Sequence, residues 1–228
     1  MQTIVLIRHG HLLSWDQRLK VRGTEPHLRL DAALAASGQT QARHAATRVA
    51  ADGGATVVLS SPFRSCLETA DLIAAACATT VTADWRLGEV LLSQVLGSPF
   101  SPTSAMDPAW AERRVGAGKP SHPESDRTIQ QRCTAVVADL KARKPFAQRV
   151  VVVSHAIILN ELAKLMTGRA VACDWHPAAL TTLVRRLPVD RTWRMTGALA
   201  DIAHLGADDR TEPVEQIEVR YHPQDSRS

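Results

Sequence analysis

Residues 3–10 read Thr-Ile-Val-Leu-Ile-Arg-His-Gly, and residues 150–155 read Val-Val-Val-Val-Ser-His. Each is a short, unbroken, largely β-branched run that ends in a histidine. Such runs suit strands buried on both faces, as in parallel sheets; strands with one wet face alternate instead. Both are predicted strands, and if they are neighbours their two imidazoles share one edge of the sheet.

Outward from these strands, the pattern alternates between sheet and helix. Ala42, Ala45, Ala46, Val49 and Ala50 recur at helical spacing, with Ser37 as the expected N-cap and Asp52-Gly53-Gly54 as the stop. Val57-Val58-Leu59 predicts a second strand, and Pro62 at a first helical turn predicts a helix to Ala76. Residues 79–82 predict a third strand. Ile129, Cys133, Val136, Val137 and Leu140 mark one face of a helix over 126–144, and Ile157–Met166 is apolar almost all round, closing at Gly168. Segments 180–184 and 193–196 complete the sheet.

Strand and helix in alternation imply an α/β fold: a doubly wound, mostly parallel central sheet with helices on both faces. One domain is expected over residues 1–205. Residues 97–123 hold five prolines and three glycines, and 92–123 reads as a loop-rich lid that selects the substrate. Residues 206–228 read as a polar tail.

Bulk properties narrow the function. The 228-residue chain is 45% hydrophobic and 22% charged, with a formal net charge of +4. It has no dense Lys/Arg tract, so a nucleic-acid partner is not expected, whereas a small anionic substrate is. No run reaches the roughly 18 apolar residues of a membrane span, and the N-terminus lacks a basic leader. Four cysteines (66, 77, 133, 173) without CxxC spacing fit reduced thiols and a cytoplasmic location. His9 and His11 stand two apart, but Gly10 interrupts the strand and no third ligand follows at motif spacing, so no metal is expected. Arg113-Arg114 and Arg185-Arg186 read as solvated surface.

In doubly wound sheets, ligands gather at the carboxyl ends of the strands. That edge here collects Arg8-His9, Ser154-His155 and Ser60-Ser61, followed by a helix start bearing Arg64. Helix N-termini and arginines offer the oriented donors and positive potential that a phosphate needs.

These residues carry a family resemblance. Leu6-Ile7-Arg8-His9-Gly10 resembles the RHG signature of the histidine-phosphatase superfamily, in its phosphoglycerate-mutase-like branch. Residues Ser60 to Ala70 are similar to its second block. Leu87-Gly88-Glu89 is similar to its general-acid segment, Pro123-Glu124-Ser125 to its GES element, and Val152-Val153-Ser154-His155 to its second histidine block. Ala203-His204-Leu205 resembles a late segment. The blocks occur in family order over roughly residues 3–205, which makes the joint match far more specific than any tripeptide.

The resemblance implies a mechanism and a set of roles. His9 is the nucleophile that carries a transient phosphoryl group, Arg8 and His155 bind the phosphoryl oxygens, and Glu89 protonates the leaving alcohol. No cofactor or metal is implied. Ala156 stands directly after His155 where the acid-phosphatase and phytase branch has an aspartate, which leaves the proton with Glu89. Three departures accompany the match. Ser65 occupies the family arginine position, so either Arg64, one residue earlier, or Arg22 completes the phosphate site. His11 replaces the usual Glu or Gln, and Ala156 replaces a common glycine. The substrate-gripping stretches of true mutases are absent from 12–16 and 21–25, so hydrolysis is expected over mutase chemistry. Ser65 keeps open a catalytically weak phospholigand-binding or interaction protein as the alternative. The sequence names neither the substrate nor the oligomeric state.

Overall fold

The computed structural model of the chain describes residues 1–13, 31–90, 106–114, 124–144, 148–187 and 189–210. Its elements are β1 (Gln2–Arg8), α1 (Ala36–Ala51), β2 (Val57–Ser60), α2 (Arg64–Ala76), β3 (Val81–Ala83), α3 (Asp126–Ala142), β4 (Arg149–Ser154), α4 (Ala156–Thr167), β5 (Leu180–Arg185) and β6 (Arg194–Asp201). Short 3₁₀ turns span Trp85–Leu87, Pro108–Arg114 and Ala207–Asp209.

The six strands lie in the order β3-β2-β4-β1-β5-β6. The first four run parallel, and β5 and β6 join antiparallel to their neighbours. The two valine- and isoleucine-rich runs therefore sit at the centre, as their lack of alternation requires. Ile4, Leu6, Val150 and Val152 face α3 and α4 in one core, while Val5, Ile7, Val151 and Val153 face α1 and α2 in the other. All four valines of β4 are fully buried; burying each such side chain contributes about 1.5–3 kcal/mol. Helices thus cover both faces of the sheet, giving the expected α/β architecture.

Local differences have local causes. Helix α1 begins at Ala36, so Ser37 lies inside it; Ala35 is the N-cap and no side chain caps it. A backbone crossing decides that start. A Cβ on Gly10 would sit 2.4 Å from the Gly38 carbonyl oxygen, and one on Gly38 would sit 2.1 Å from that of His11. Only a glycine pair lets the loop after β1 and the first turn of α1 touch. Helix α2 starts at Arg64, later than Pro62, because Ser61 still pairs with β4 through its N–H to the Val153 carbonyl, 2.9 Å away. Gly168 closes α4 in the left-handed conformation, φ 69°.

The reading of two arginine pairs as solvated surface is overturned at Arg114 and Arg185, both buried. Arg185 donates to the Gln2 side chain and lies over the Trp193 ring at 4.3 Å. Residues 92–105, 115–123 and 211–228 lie outside the described residues, so most of the expected lid and tail does too. No helix among the described residues is long and apolar enough to cross a membrane.

Candidate active site

Strands β1 and β4 run side by side with Arg8 opposite Ser154. His9 and His155, the next residues, leave the sheet together, and their ring centroids lie 5.2 Å apart with the planes tilted by 60°. Main-chain bonds hold the first of them: His9 N–H donates to the Ser154 carbonyl at 3.2 Å, and the Ala178 N–H donates to the His9 carbonyl at 3.1 Å.

The two imidazoles have opposite environments. His9 Nδ1 lies 2.8 Å from the Gly10 carbonyl oxygen. A carbonyl only accepts, so Nδ1 carries the hydrogen and Nε2 keeps its lone pair. Burial, with the positive fields of His155 and Arg8, holds the ring's proton affinity well below the ordinary histidine value. His9 is therefore neutral near pH 7.

His155 is the reverse. Its Nε2 lies 2.8 Å from Ser61 Oγ and 3.5 Å from Cys66 Sγ, and its Nδ1 lies 3.1 Å from Glu89 Oε2. The Glu89 contact has ion-pair distance without linear hydrogen-bond geometry, since His155 Nδ1 has no well-directed acceptor. Burial works against its proton, but the fields of Cys66 and Glu89 outweigh burial and push the ring up to about 10. Glu89 responds in the opposite direction. Burial would raise it; the nearby His155 charge and the Val90 N–H, 2.9 Å from Oε1, bring it down to about 2. A third of this side chain is open to solvent, which tempers that field. The resting site thus holds a neutral His9 beside an ionised His155–Glu89 pair.

Arg8 is buried at the end of β1 and donates from Nη1 to the Trp175 carbonyl. That partner is held in turn from α4: Asn160 Oδ1 accepts from Trp175 Nε1 at 2.8 Å, and its amide donates to the Cys173 carbonyl at 3.0 Å. Arg8 also lies within the fields of Glu89 and Asp174. Two cationic side chains, Arg8 and His155, thus stand beside the neutral His9.

Arg64 is placed differently. Its Nε donates to Glu68 at 2.8 Å, its Nη1 donates to Asp107 at 3.0 Å, and its guanidinium lies 5.6 Å from the centre of the Trp110 ring. No described contact joins it to His9 or His155. The start of α2 is also taken: Asp31 Oδ1 accepts the Arg64 N–H at 2.7 Å, while Oδ2 accepts the Asp107 N–H at 2.9 Å and pairs with buried Arg114. Of the oriented donors expected at this helix start, the Arg64 N–H is already bonded to the Asp31 carboxylate. Arg22 lies outside the described residues.

The fold also recruits groups that the sequence did not single out. Ser61 was visible within the second block, next to Pro62; only the fold puts its hydroxyl on His155. Cys66 lies in the same block with no role read for it, and Asp31 carried no signal at all. His11, buried after Gly10, is tied through its N–H to Gln41 Oε1 at 2.9 Å. Among the described residues, no group of three His, Cys, Asp or Glu side chains converges as metal ligands.

The sequence profile of the histidine phosphatase superfamily (branch 1) matches residues 4–196. The chain belongs to the histidine phosphatase superfamily. Among curated relatives it is similar to phosphoglycerate mutase-like protein 4 of Arabidopsis thaliana, 30% identical over 164 residues, covering 70% of this chain and 68% of that protein. It is also similar to a probable phosphoglycerate mutase of Shigella dysenteriae, 26% identical over 215 residues, covering 91% of this chain and 96% of the relative. Among solved structures, a mycobacterial glucosyl-3-phosphoglycerate phosphatase with VO3 shares the fold at a TM-score of 0.62 and 21% identity, covering 88% of this chain and all of that one, 100%. The phosphoserine phosphatase of Entamoeba histolytica does so at 0.62 and 19%, covering 90% and 99%. Within this histidine phosphatase fold, Ser65 sits buried in the first turn of α2. Its neighbour Cys66 supplies the thiol beside His155.

Proposed function

We propose that this protein hydrolyses a small phosphate monoester through a phosphohistidine on His9, without a metal. The observation that carries the reading is the division of charge between the two imidazoles. An attacking nitrogen needs a lone pair, and a phosphoryl group needs fixed positive donors around its equatorial oxygens. Neutral His9 supports the first role; cationic His155 and Arg8 support the second.

In the first step His9 Nε2 bonds to phosphorus as the ester P–O bond breaks, and the leaving oxygen takes a proton. Water then attacks the phosphohistidine, releasing inorganic phosphate and restoring His9. Glu89 is the proton carrier of both steps. At rest it is a carboxylate, held ionised by His155. An anionic phosphoryl group arriving beside the pair offsets the His155 field and raises the carboxylate's affinity for a proton, which it takes from solvent and then gives to the leaving oxygen. Regenerated as a carboxylate, it accepts a proton from the attacking water. Arg64, committed to Glu68 and Asp107, has at most a peripheral role in phosphate binding, and the cradle rests on Arg8 and His155. Residues 1–205 act as one catalytic domain, with 92–123 as the lid over the substrate, and the four free cysteines fit a reducing, cytoplasmic setting.

The engagement of Arg64, together with Ser65 at the family arginine position, favours a second reading: a phospholigand-binding protein with little turnover. Hydrolysis of p-nitrophenyl phosphate in chelator, from pH 5 to 8, separates the two. Turnover by the wild type, reduced at least roughly 10³-fold in His9→Ala, is the expected result. Folded wild type that matches His9→Ala across that range would leave binding as the better account.

A further inference from the structure

Glu89 follows the Trp85–Leu87 turn, and the carbonyls of the three residues before it are all held from other elements. Ser154 Oγ, at the end of β4, donates to the Leu87 carbonyl at 2.7 Å. Arg132, on α3, donates from a single nitrogen, Nη1, to both the Arg86 carbonyl at 2.6 Å and the Gly88 carbonyl at 2.9 Å. The other side of the same guanidinium is gripped at two points by Glu124: Nε to Oε1 at 2.7 Å and Nη2 to Oε2 at 2.9 Å. Both side chains are buried. A planar fork fixed on one side by a carboxylate has its third corner aimed without freedom.

We infer that Arg132, oriented by Glu124, is a positioning residue that sets the place of the Glu89 carboxylate through the Arg86 and Gly88 carbonyls. The inference rests on the reading of Glu89 as proton carrier. Arg132 touches neither His9 nor His155 in any described contact, and the Glu124 carboxylate balances its charge. Its influence on Glu89 therefore runs through the backbone. Glu89 itself sits one residue past the carbonyl that Arg132 holds, so a shift of that carbonyl moves the carboxylate relative to the leaving oxygen. Proton transfer is sensitive to such displacement, since a misplacement of about 1 Å can lower a rate roughly 10²-fold. Lysine in place of Arg132 keeps the charge but has one compact ammonium, which cannot hold Glu124 at two points and reach both carbonyls.

A pair of substrates with the same phosphoryl group and different leaving groups isolates this role. p-Nitrophenol leaves readily as its anion, whereas phenol, with a pKa of about 10 like tyrosine, depends on the proton donor. The measurement is kcat/KM for phenyl phosphate divided by kcat/KM for p-nitrophenyl phosphate, on one preparation of each variant. Partial unfolding scales both numbers together and leaves the ratio unchanged. Glu89→Gln sets the scale, with an expected fall in the ratio of roughly 10²-fold. Arg132→Lys is expected to lower the ratio roughly 10-fold, and Glu124→Gln, which keeps the shape, to lower it less. Should Arg132→Lys yield no folded protein, Glu124→Gln alone carries the comparison. A wild-type ratio in the Arg132 and Glu124 variants, with Glu89→Gln reduced, would overturn the positioning role and leave the proposed function standing. An unchanged ratio in Glu89→Gln would overturn the role of Glu89 as donor, and the positioning inference with it.

Discussion

Two arginines stand at the carboxyl edge of the sheet, and the structure treats them in opposite ways. Arg8, at the end of β1, donates to a carbonyl, that of Trp175, and lies within the fields of Glu89 and Asp174. Arg64, at the start of α2, meets two carboxylates, Glu68 and Asp107, and packs on Trp110. Around it Asp31 and Arg114 complete a buried ionic network that ties α2 to the Pro108–Arg114 turn. An arginine's position near a site therefore does not measure the charge it delivers there. A guanidinium held in direct ion pairs by two carboxylates, as Arg64 is, serves the fold first.

The largest expected effect tests the structural half of this contrast. Asp31→Asn removes a buried charge that Arg114 pairs with and that caps α2, so unfolding free energy should fall by about 3–5 kcal/mol. Urea denaturation reads that loss, and kcat per folded molecule should stay within about threefold. A stable Asp31→Asn protein with crippled turnover would place this network in the catalytic machinery instead.

Next comes Arg8→Gln. Removing a cation aimed at developing phosphoryl charge should lower kcat/KM for p-nitrophenyl phosphate by roughly 10²–10³-fold. A loss below tenfold would mean that His155 alone supplies the cradle.

A smaller effect appears in stability against pH. His155 has a folded-state proton affinity raised above 6.5, to about 10. Its stabilisation is therefore complete below about pH 6.5 and is lost as pH climbs toward 10. Glu89 is depressed from 4.5 to about 2, so its contribution is present above 4.5 and lost only as pH falls toward 2. Between pH 7 and 9 the unfolding free energy should decline by at most about 1.4 kcal/mol per pH unit. His155→Asn should flatten that slope; an equal slope in the variant would assign the proton to another group.

Arg64→Ala should do least. As a partly exposed residue pairing with Glu68 and Asp107, it should change kcat/KM by less than about threefold and stability by about 1 kcal/mol or less. A 10²-fold fall in kcat/KM would show that Arg64 leaves its carboxylates when substrate binds, and would erase the distinction drawn between the two arginines.

Much of this molecule was legible before its structure. The unalternating runs at 3–7 and 150–153 announced central strands because a strand buried on both faces has no wet side to make polar. The histidines that end those runs were recognisable as a pair because parallel strands bring their carboxyl ends to one edge. Other features were hidden for equally physical reasons. Arg114 and Arg185 read as surface because an arginine pair in isolation carries no sign of a partner. Their burial depends on Asp31 and Gln2, which lie 83 and 183 residues away in the chain. Ser37 has the chemistry of an N-cap, yet the contact between Gly10 and Gly38 fixes where α1 starts.

The layered α/β fold and the pairing of the two imidazoles follow from hydrophobic period and from blocks close along the chain, and are readable without coordinates. The charge states of those imidazoles, the neutralisation of Arg64 and the anchoring of the Glu89 turn by Arg132 arise from folding alone. Proton affinity and ion pairing depend on burial and on distances of 3 Å or so between residues remote in sequence, where Coulomb energy changes steeply. Such distances do not exist until the chain has folded.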